Sequence, residues 1–131
     1  MQKKRILIVD DEPSFTRLLG LNLEHTGRYE VREEARGKEV MRAVEAFQPD
    51  LILLDVIMPD LDGAQVGAQL RDHAMFKDIP VVFVTAIVSR EEVGTKGHMI
   101  GDNLFLAKPV KIQEVVQCIE ERLAVAKEAR T

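Results

Sequence analysis

Four short apolar runs recur along the chain, each closed by a polar side chain: Ile6-Leu7-Ile8-Val9 by Asp10, Leu51-Ile52-Leu53-Leu54 by Asp55, Val81-Val82-Phe83-Val84 by Thr85, and Leu104-Phe105-Leu106-Ala107 by Lys108. Continuous apolar runs of this length predict strands buried on both faces, as in a parallel sheet covered by helices on each side. The Tyr29–Glu33 stretch alternates with charge and predicts an edge strand.

Helix-period segments lie between the runs. Pro13 suits the first turn of a helix entered after Asp11 or Glu12, with Phe15, Leu18, Leu19 and Leu23 as its apolar stripe. Val40, Met41, Val44 and Phe47 make a second stripe before Pro49; Val66, Leu70 and Ala74 make a third. In the last helix, Ile112, Val115, Val116, Ile119 and Leu123 recur at helical spacing, and the charged, alanine-rich residues 124–131 extend or fray it. A fourth helix is expected over Ser89–Ile100, short or mobile because it carries Gly94 and Gly97 with Gly101 just beyond; each interior glycine costs about 1 kcal/mol relative to alanine. Five strand–helix repeats imply right-handed crossovers and a doubly wound α/β sheet.

Ligands of open α/β sheets gather outside the carboxyl ends of the strands. The residues closing the runs therefore converge there: Asp10 and Asp11, Asp55, Thr85 and Lys108. Carboxylates held together repel, at a cost of about 4 kcal/mol per pair at 4 Å and an effective dielectric near 20. They must hold protons or bind a cation. A hard divalent ion with oxygen ligands, Mg²⁺ or Mn²⁺, is the natural answer, and zinc is disfavoured because no His or Cys joins the set. Carboxylates, a metal, a lysine and a hydroxyl together suit phosphoryl transfer, where charge on the transferring group must be neutralised.

Composition narrows the rest. A length of 131 residues fits one domain, with a core over residues 5–123, and 46% hydrophobic with 31% charged residues is an ordinary globular balance. A net charge of −4 argues against nonspecific nucleic-acid binding through this chain. Cys118 is the only cysteine, so a disulfide framework is excluded and a reducing cytoplasm is expected. Lys3, Lys4 and Arg5 precede only four apolar residues, too few for a signal peptide, and no run approaches the roughly 20 residues of a membrane span. Taken singly, Asp10 and Asp11 would be a solvated loop, Thr85 a loop hydroxyl and Lys108 a surface charge; their joint placement reverses those readings. Met58, Pro59 and Gly63 read as loop-shaping residues, Asp60 as a loop charge, Asp62 as an N-cap, Cys118 as packing, and His25, His73 and His98 as surface or helix-end residues.

The ordered motifs Ile-Val-Asp10-Asp11-Glu-Pro, Leu-Asp55-Val-Ile-Met-Pro59-Asp-Leu-Asp-Gly63, Val-Thr85-Ala86 and Leu-Ala-Lys108-Pro109 resemble the receiver domains of bacterial two-component response regulators. The resemblance runs from about Arg5 to Leu123. It implies a flavodoxin-like (βα)5 three-layer sandwich with a five-stranded parallel sheet of order 2-1-3-4-5. It implies a phosphoacceptor in a phosphorelay, not a conventional turnover enzyme: Asp55 takes a phosphoryl group from a histidine kinase or phosphotransfer protein. Asp10, Asp11, Asp55 and the Ile57 backbone carbonyl would hold Mg²⁺. Lys108 would pair with Asp55 at rest and a phosphoryl oxygen afterwards, before a cis bond to Pro109. Thr85 would bind the phosphoryl group, and Phe105 would be an aromatic switch. The face made by the fourth helix, last parallel strand and last helix would then change, meeting an output partner or a second copy. Two positions that tune hydrolysis in the family are Ile57 and Ile87, both apolar, which implies slow loss of the phosphoryl group.

Two other readings remain. A haloacid-dehalogenase-like phosphatase would also use an Asp, Mg²⁺ and a Lys, but usually has a second Asp where this chain has Ile57, and needs a cap that this length hardly permits. A binding module that keeps the fold without phosphorylation would not need the intact acidic set.

Overall fold

The computed structural model describes residues 2–60, 62–86, 98–100 and 103–130. In chain order the elements are β1 (Lys4–Val9), α1 (Pro13–His25), β2 (Tyr29–Glu34), a 3₁₀ turn (Gly37–Glu39), α2 (Val40–Phe47), β3 (Leu51–Leu54), α3 (Gly63–Asp72), β4 (Val81–Thr85), β5 (His98–Ile100), β6 (Asn103–Ala107) and α4 (Ile112–Arg130). The sheet order is β2-β1-β3-β4-β6-β5. Its first five strands are all parallel, the 2-1-3-4-5 order of a flavodoxin-like sheet, with β2 at one edge as its polarity predicts.

At the other edge the structure departs from expectation. Residues 98–100 form β5, which pairs antiparallel with β6, instead of ending a helix. The rest of the expected helix over 89–100, with Gly94, Gly97 and Gly101, lies outside the described residues, as does Ile87.

Strand alternation explains the unbroken apolar runs. Ile6, Ile8, Leu51, Leu53, Val82, Val84 and Leu106 point to one side and meet Leu19, Leu23, Val115 and Ile119 of α1 and α4. Leu7, Val9, Ile52, Leu54 and Phe83 point to the other and meet Val40, Val44, Val66 and Leu70 of α2 and α3. Every position of the β1 and β3 runs is inside because both faces are covered, whereas Val81, Leu104 and Phe105 are half-buried. Two stripe assignments shift. Leu18 is 63% exposed, and Thr16 and Gly20 occupy buried positions of α1 instead. Gly20 does so because a Cβ there would lie 3.2 Å from Val31 Cγ1 of β2. Ala74 is exposed beyond the end of α3 at Asp72.

Tyr29 ties the edge strand to α4: its ring is fully buried and its hydroxyl donates to Glu120 Oε2 at 2.6 Å. Cys118 packs in the same core, and burial pushes its thiol up to about 12. A buried, protonated thiol is a poor nucleophile. Native protein is therefore expected to react with a thiol reagent at pH 8 about 100-fold more slowly than urea-unfolded protein, because reaction needs local opening. Equal rates would mean that Cys118 is accessible.

Candidate functional site

The site lies where β1, β3, β4 and β6 end. Parallel ladder bonds bring those ends level: Asp55 N donates to Val9 O at 2.9 Å and Lys108 N donates to Thr85 O at 3.0 Å. Four separate segments are thus held at one edge by backbone geometry. Asp10 and Asp55 are buried, Thr85 is fully buried, and Asp11 is the most open carboxylate of the group.

One carboxylate oxygen each from Asp10, Asp11 and Asp55 lie within 4.8 Å of one another. This is the metal set expected from the sequence, and among the described residues no other group of three or more His, Cys, Asp or Glu residues is so placed. Asp10 Oδ1 accepts from Glu12 N at 3.0 Å, and the buried Asp10 Oδ2 is met by the Lys108 ammonium at 2.6 Å. Three carboxylates so placed fit a hard cation. Asp55 Oδ1 accepts weakly from Ile57 N at 3.3 Å, which places the Ile57 peptide beside the cluster. The Ile57 side chain is 59% exposed.

Lys108 contacts Asp55 as expected, but Asp55 is the most distant of its three carboxylate partners. Its ammonium is closest to Asp10 Oδ2, at 2.6 Å, then Glu12 Oε1 at 3.2 Å, and only then Asp55 Oδ2 at 3.5 Å. The contact to Asp10 is a short, buried ion pair, so a positive charge already sits on Asp10 Oδ2. The ammonium also lies 4.4 Å from the centre of the Phe15 ring. Burial raises the Asp10 pKa, partly offset by Lys108 and the Glu12 N–H and reinforced by the Asp55 charge. Desolvation opposes the charge on Lys108, but Asp10, Asp55 and Glu12 together outweigh it and hold its pKa above the ordinary value. The Lys108–Pro109 peptide is cis, as the resemblance implies.

The loop after Asp55 is built to hold it. Gly63 N donates to Val56 O at 2.7 Å. A Cβ on Gly63 would run into the Asp55 carbonyl oxygen and lie 2.7 Å from Val56 Cα. Asp62 caps α3 through Ala64 N at 2.8 Å, the predicted N-cap. Asp60 has a more definite job than a loop charge, since it accepts from Gly37 N at 3.1 Å and Lys38 N at 3.2 Å. Desolvation opposes that carboxylate, but the two N–H donors outweigh it and lower its pKa. Phe105 is half-buried and stacks on Phe83 with centroids 5.0 Å apart. Both rings line a cavity of about 220 Å³ with Gly67, Ala68 and Arg71 of α3. His73 stacks on Phe76 and joins no metal group. Glu12 is the site residue that sequence reasoning missed; a carboxylate directly after the acidic pair was the available signal.

Five parallel strands in flavodoxin-like order thus bring three carboxylates, a threonine and a lysine to one carboxyl edge, the arrangement that the resemblance to receiver domains implies. Residues 6–120 match the response regulator receiver domain family, and the chain belongs to it. It is 38% identical over 128 residues to the alkaline phosphatase synthesis transcriptional regulatory protein PhoP of Bacillus subtilis, covering 94% of this chain and 51% of that protein. It is 36% identical to the DNA-binding dual master transcriptional regulator RpaA of Synechocystis, covering 86% of this chain and 46% of that one. The chain thus spans about half the length of these curated relatives. Among solved structures, a putative response regulator from Chloroflexus aurantiacus superposes with a TM-score of 0.79 at 30% identity, over 94% of this chain and 99% of that one. A CheY-like receiver domain from Methanospirillum hungatei gives 0.80 at 25% identity, over 98% and 99%. No described helix is long and apolar enough to cross a membrane.

Proposed function

We propose that Asp55 is the phosphoacceptor of this receiver domain, taking its phosphoryl group from a phosphohistidine of a histidine kinase or phosphotransfer protein in the cytoplasm. The observation that carries this reading is the convergence of the Asp10, Asp11 and Asp55 carboxylates within 4.8 Å beside Lys108. Mg²⁺ fits this set of three carboxylate oxygens; Asp10, Asp11, Asp55 and the Ile57 carbonyl would hold it. Bound there, it would supply charge neutralisation between the acceptor and the incoming phosphoryl oxygens.

The chain's own residues do the rest. The buried Asp55 carboxylate attacks phosphorus, and the donor imidazole leaves with the electron pair of the broken P–N bond. Lys108 lies near enough to turn from Asp10 to a phosphoryl oxygen, and Thr85 ends the adjacent strand, where its hydroxyl can donate to another. Moving a two-state element from 1:99 to 99:1 needs about 5.5 kcal/mol. Charge-assisted hydrogen bonds of roughly 1.5–3 kcal/mol each can supply it. Drawing Thr85 toward the phosphoryl group changes the packing of β4 on β6, to which Phe83 and Phe105 respond. The altered face around β6 and α4 would meet an output domain, a separate partner or a second copy.

Beside Lys108, Phe15, Leu18, Leu19, Pro109, Val110 and Ile112 line an apolar groove of about 500 Å³, suited to receive a helix of the phosphodonor. The deciding experiment is incubation with acetyl phosphate, followed by mapping of the modified residue. Labelling of Asp55 that requires Mg²⁺ supports the reading; steady turnover of phosphomonoesters would favour a phosphatase instead. The apolar, exposed Ile57 cannot orient water by hydrogen bonding. Ile57→Asn is therefore expected to speed loss of the phosphoryl group about tenfold, by placing a polar group at the mouth. Unchanged decay of the purified phosphoprotein would remove Ile57 from the account.

A further inference from the structure

Glu12 occupies the N-cap position of α1, yet its side chain caps nothing. Its carboxylate instead accepts from Lys108 Nζ at 3.2 Å. The side chain is 62% exposed, on a long stem at the mouth of the site. It stands apart from the three carboxylates that can share a metal. Lys108 meanwhile sits at 2.6 Å from Asp10 Oδ2, an oxygen of the residue that also belongs to the metal-capable group. Ammonium and metal cannot both hold that oxygen closely, because like charges would be brought together in a poorly solvated site.

We propose that Glu12 is a positioning residue that receives the Lys108 ammonium when Mg²⁺ takes Asp10, and holds it at the mouth until a phosphoryl oxygen replaces it. The inference rests on the reading of Asp55 and Mg²⁺ above. Its geometry is specific: Glu12 is nearer to Lys108 than Asp55 is, 3.2 Å against 3.5 Å, and Phe15 supports the ammonium from a third side at 4.4 Å. A seat at the rim lets lysine leave Asp10 without entering bulk water. Glu12 would thereby assist metal binding without touching the metal.

The test is Mg²⁺ affinity of the unphosphorylated protein, measured by calorimetry or amide chemical shifts, so that no phosphoryl transfer is needed. Glu12→Gln is expected to weaken Mg²⁺ binding about twofold to fivefold, the scale of a rim ion pair. Glu12→Asp keeps the charge but shortens the stem by one methylene. It is expected to weaken binding nearly as much, whereas a purely long-range charge effect would leave it like the parent. Lys108→Ala should bind Mg²⁺ more tightly than the parent, and adding Glu12→Gln to it should then change affinity less than about twofold, since no ammonium remains to be seated. Full affinity in Glu12→Gln, parental affinity in Glu12→Asp, or an undiminished loss in the Lys108→Ala background would each overturn the proposal. If the parent protein binds no Mg²⁺, the functional reading fails instead, a result distinct from all three.

Discussion

An Asp55→Asn protein is expected to take up no phosphoryl group from acetyl phosphate while folding as tightly as the parent. The amide is nearly isosteric with the carboxylate but is not a nucleophile, so the covalent step has no acceptor. The neighbouring carboxylates are poor substitutes because Asp10 is occupied by Lys108 and the Glu12 N–H, and Asp11 lies toward solvent. Stability has a different sign. Asp55 adds to the repulsion that raises the Asp10 pKa, while its contact to Lys108 is long, at 3.5 Å. Removing that charge relieves an unfavourable cluster in the absence of metal, so the melting temperature without Mg²⁺ should stay level or rise. Intact-mass measurement after incubation, beside a thermal melt, reads both effects. Undiminished labelling at another carboxylate would dismiss Asp55 as the acceptor, and an unfolded variant would show that its role is structural.

Gly63→Ala should be the most damaging small substitution in the loop. The added methyl would collide with the Asp55 carbonyl oxygen and lie 2.7 Å from Val56 Cα and 2.9 Å from Asp55 C. These are backbone atoms at the end of a buried central strand, so no side chain can swing aside. Either α3 moves off the sheet, uncovering Val66 and Leu70, or the strand end carrying Asp55 shifts. Overpacking of this kind costs about 3 kcal/mol, which for a chain of this size lowers the melting temperature by about 10 °C. Whatever folded protein remains should be labelled more slowly, because Asp55 is displaced from Lys108 and the acidic pair. A melt within a degree or two of the parent would refute the close approach. Gly67→Ala is a built-in comparison: there the nearest atom is the movable ring of Phe83 at 3.2 Å, and the loss should be much smaller.

Much of the fold was legible because burial on both faces removes alternation and leaves unbroken apolar runs. Ile6–Val9, Leu51–Leu54 and Val81–Val84 divide between two cores, residue by residue, as the pleat requires. The site was legible for a related reason. Parallel strands all point the same way, so the polar residue after each run must reach the same edge. Leu18 was misplaced because spacing gives a stripe but not its width, and Gly20 lets β2 approach on the neighbouring side. The β5 strand was hidden by its length, since three residues are too few for either period to register.

The order of apolar and polar residues determined a doubly wound parallel sheet, and it determined that Asp10, Asp11, Asp55, Thr85 and Lys108 meet at one edge. Local pattern carries that information because strand direction and pleat are repeating geometry. Which carboxylate the lysine holds was decided only in three dimensions. Distances of 2.6, 3.2 and 3.5 Å to Asp10, Glu12 and Asp55 depend on how far each loop carries its side chain past the strand end. Tertiary packing alone made Gly63 the floor under Asp55, and turned Glu12 from a helix cap into a partner of Lys108, because those contacts join segments that no periodicity connects.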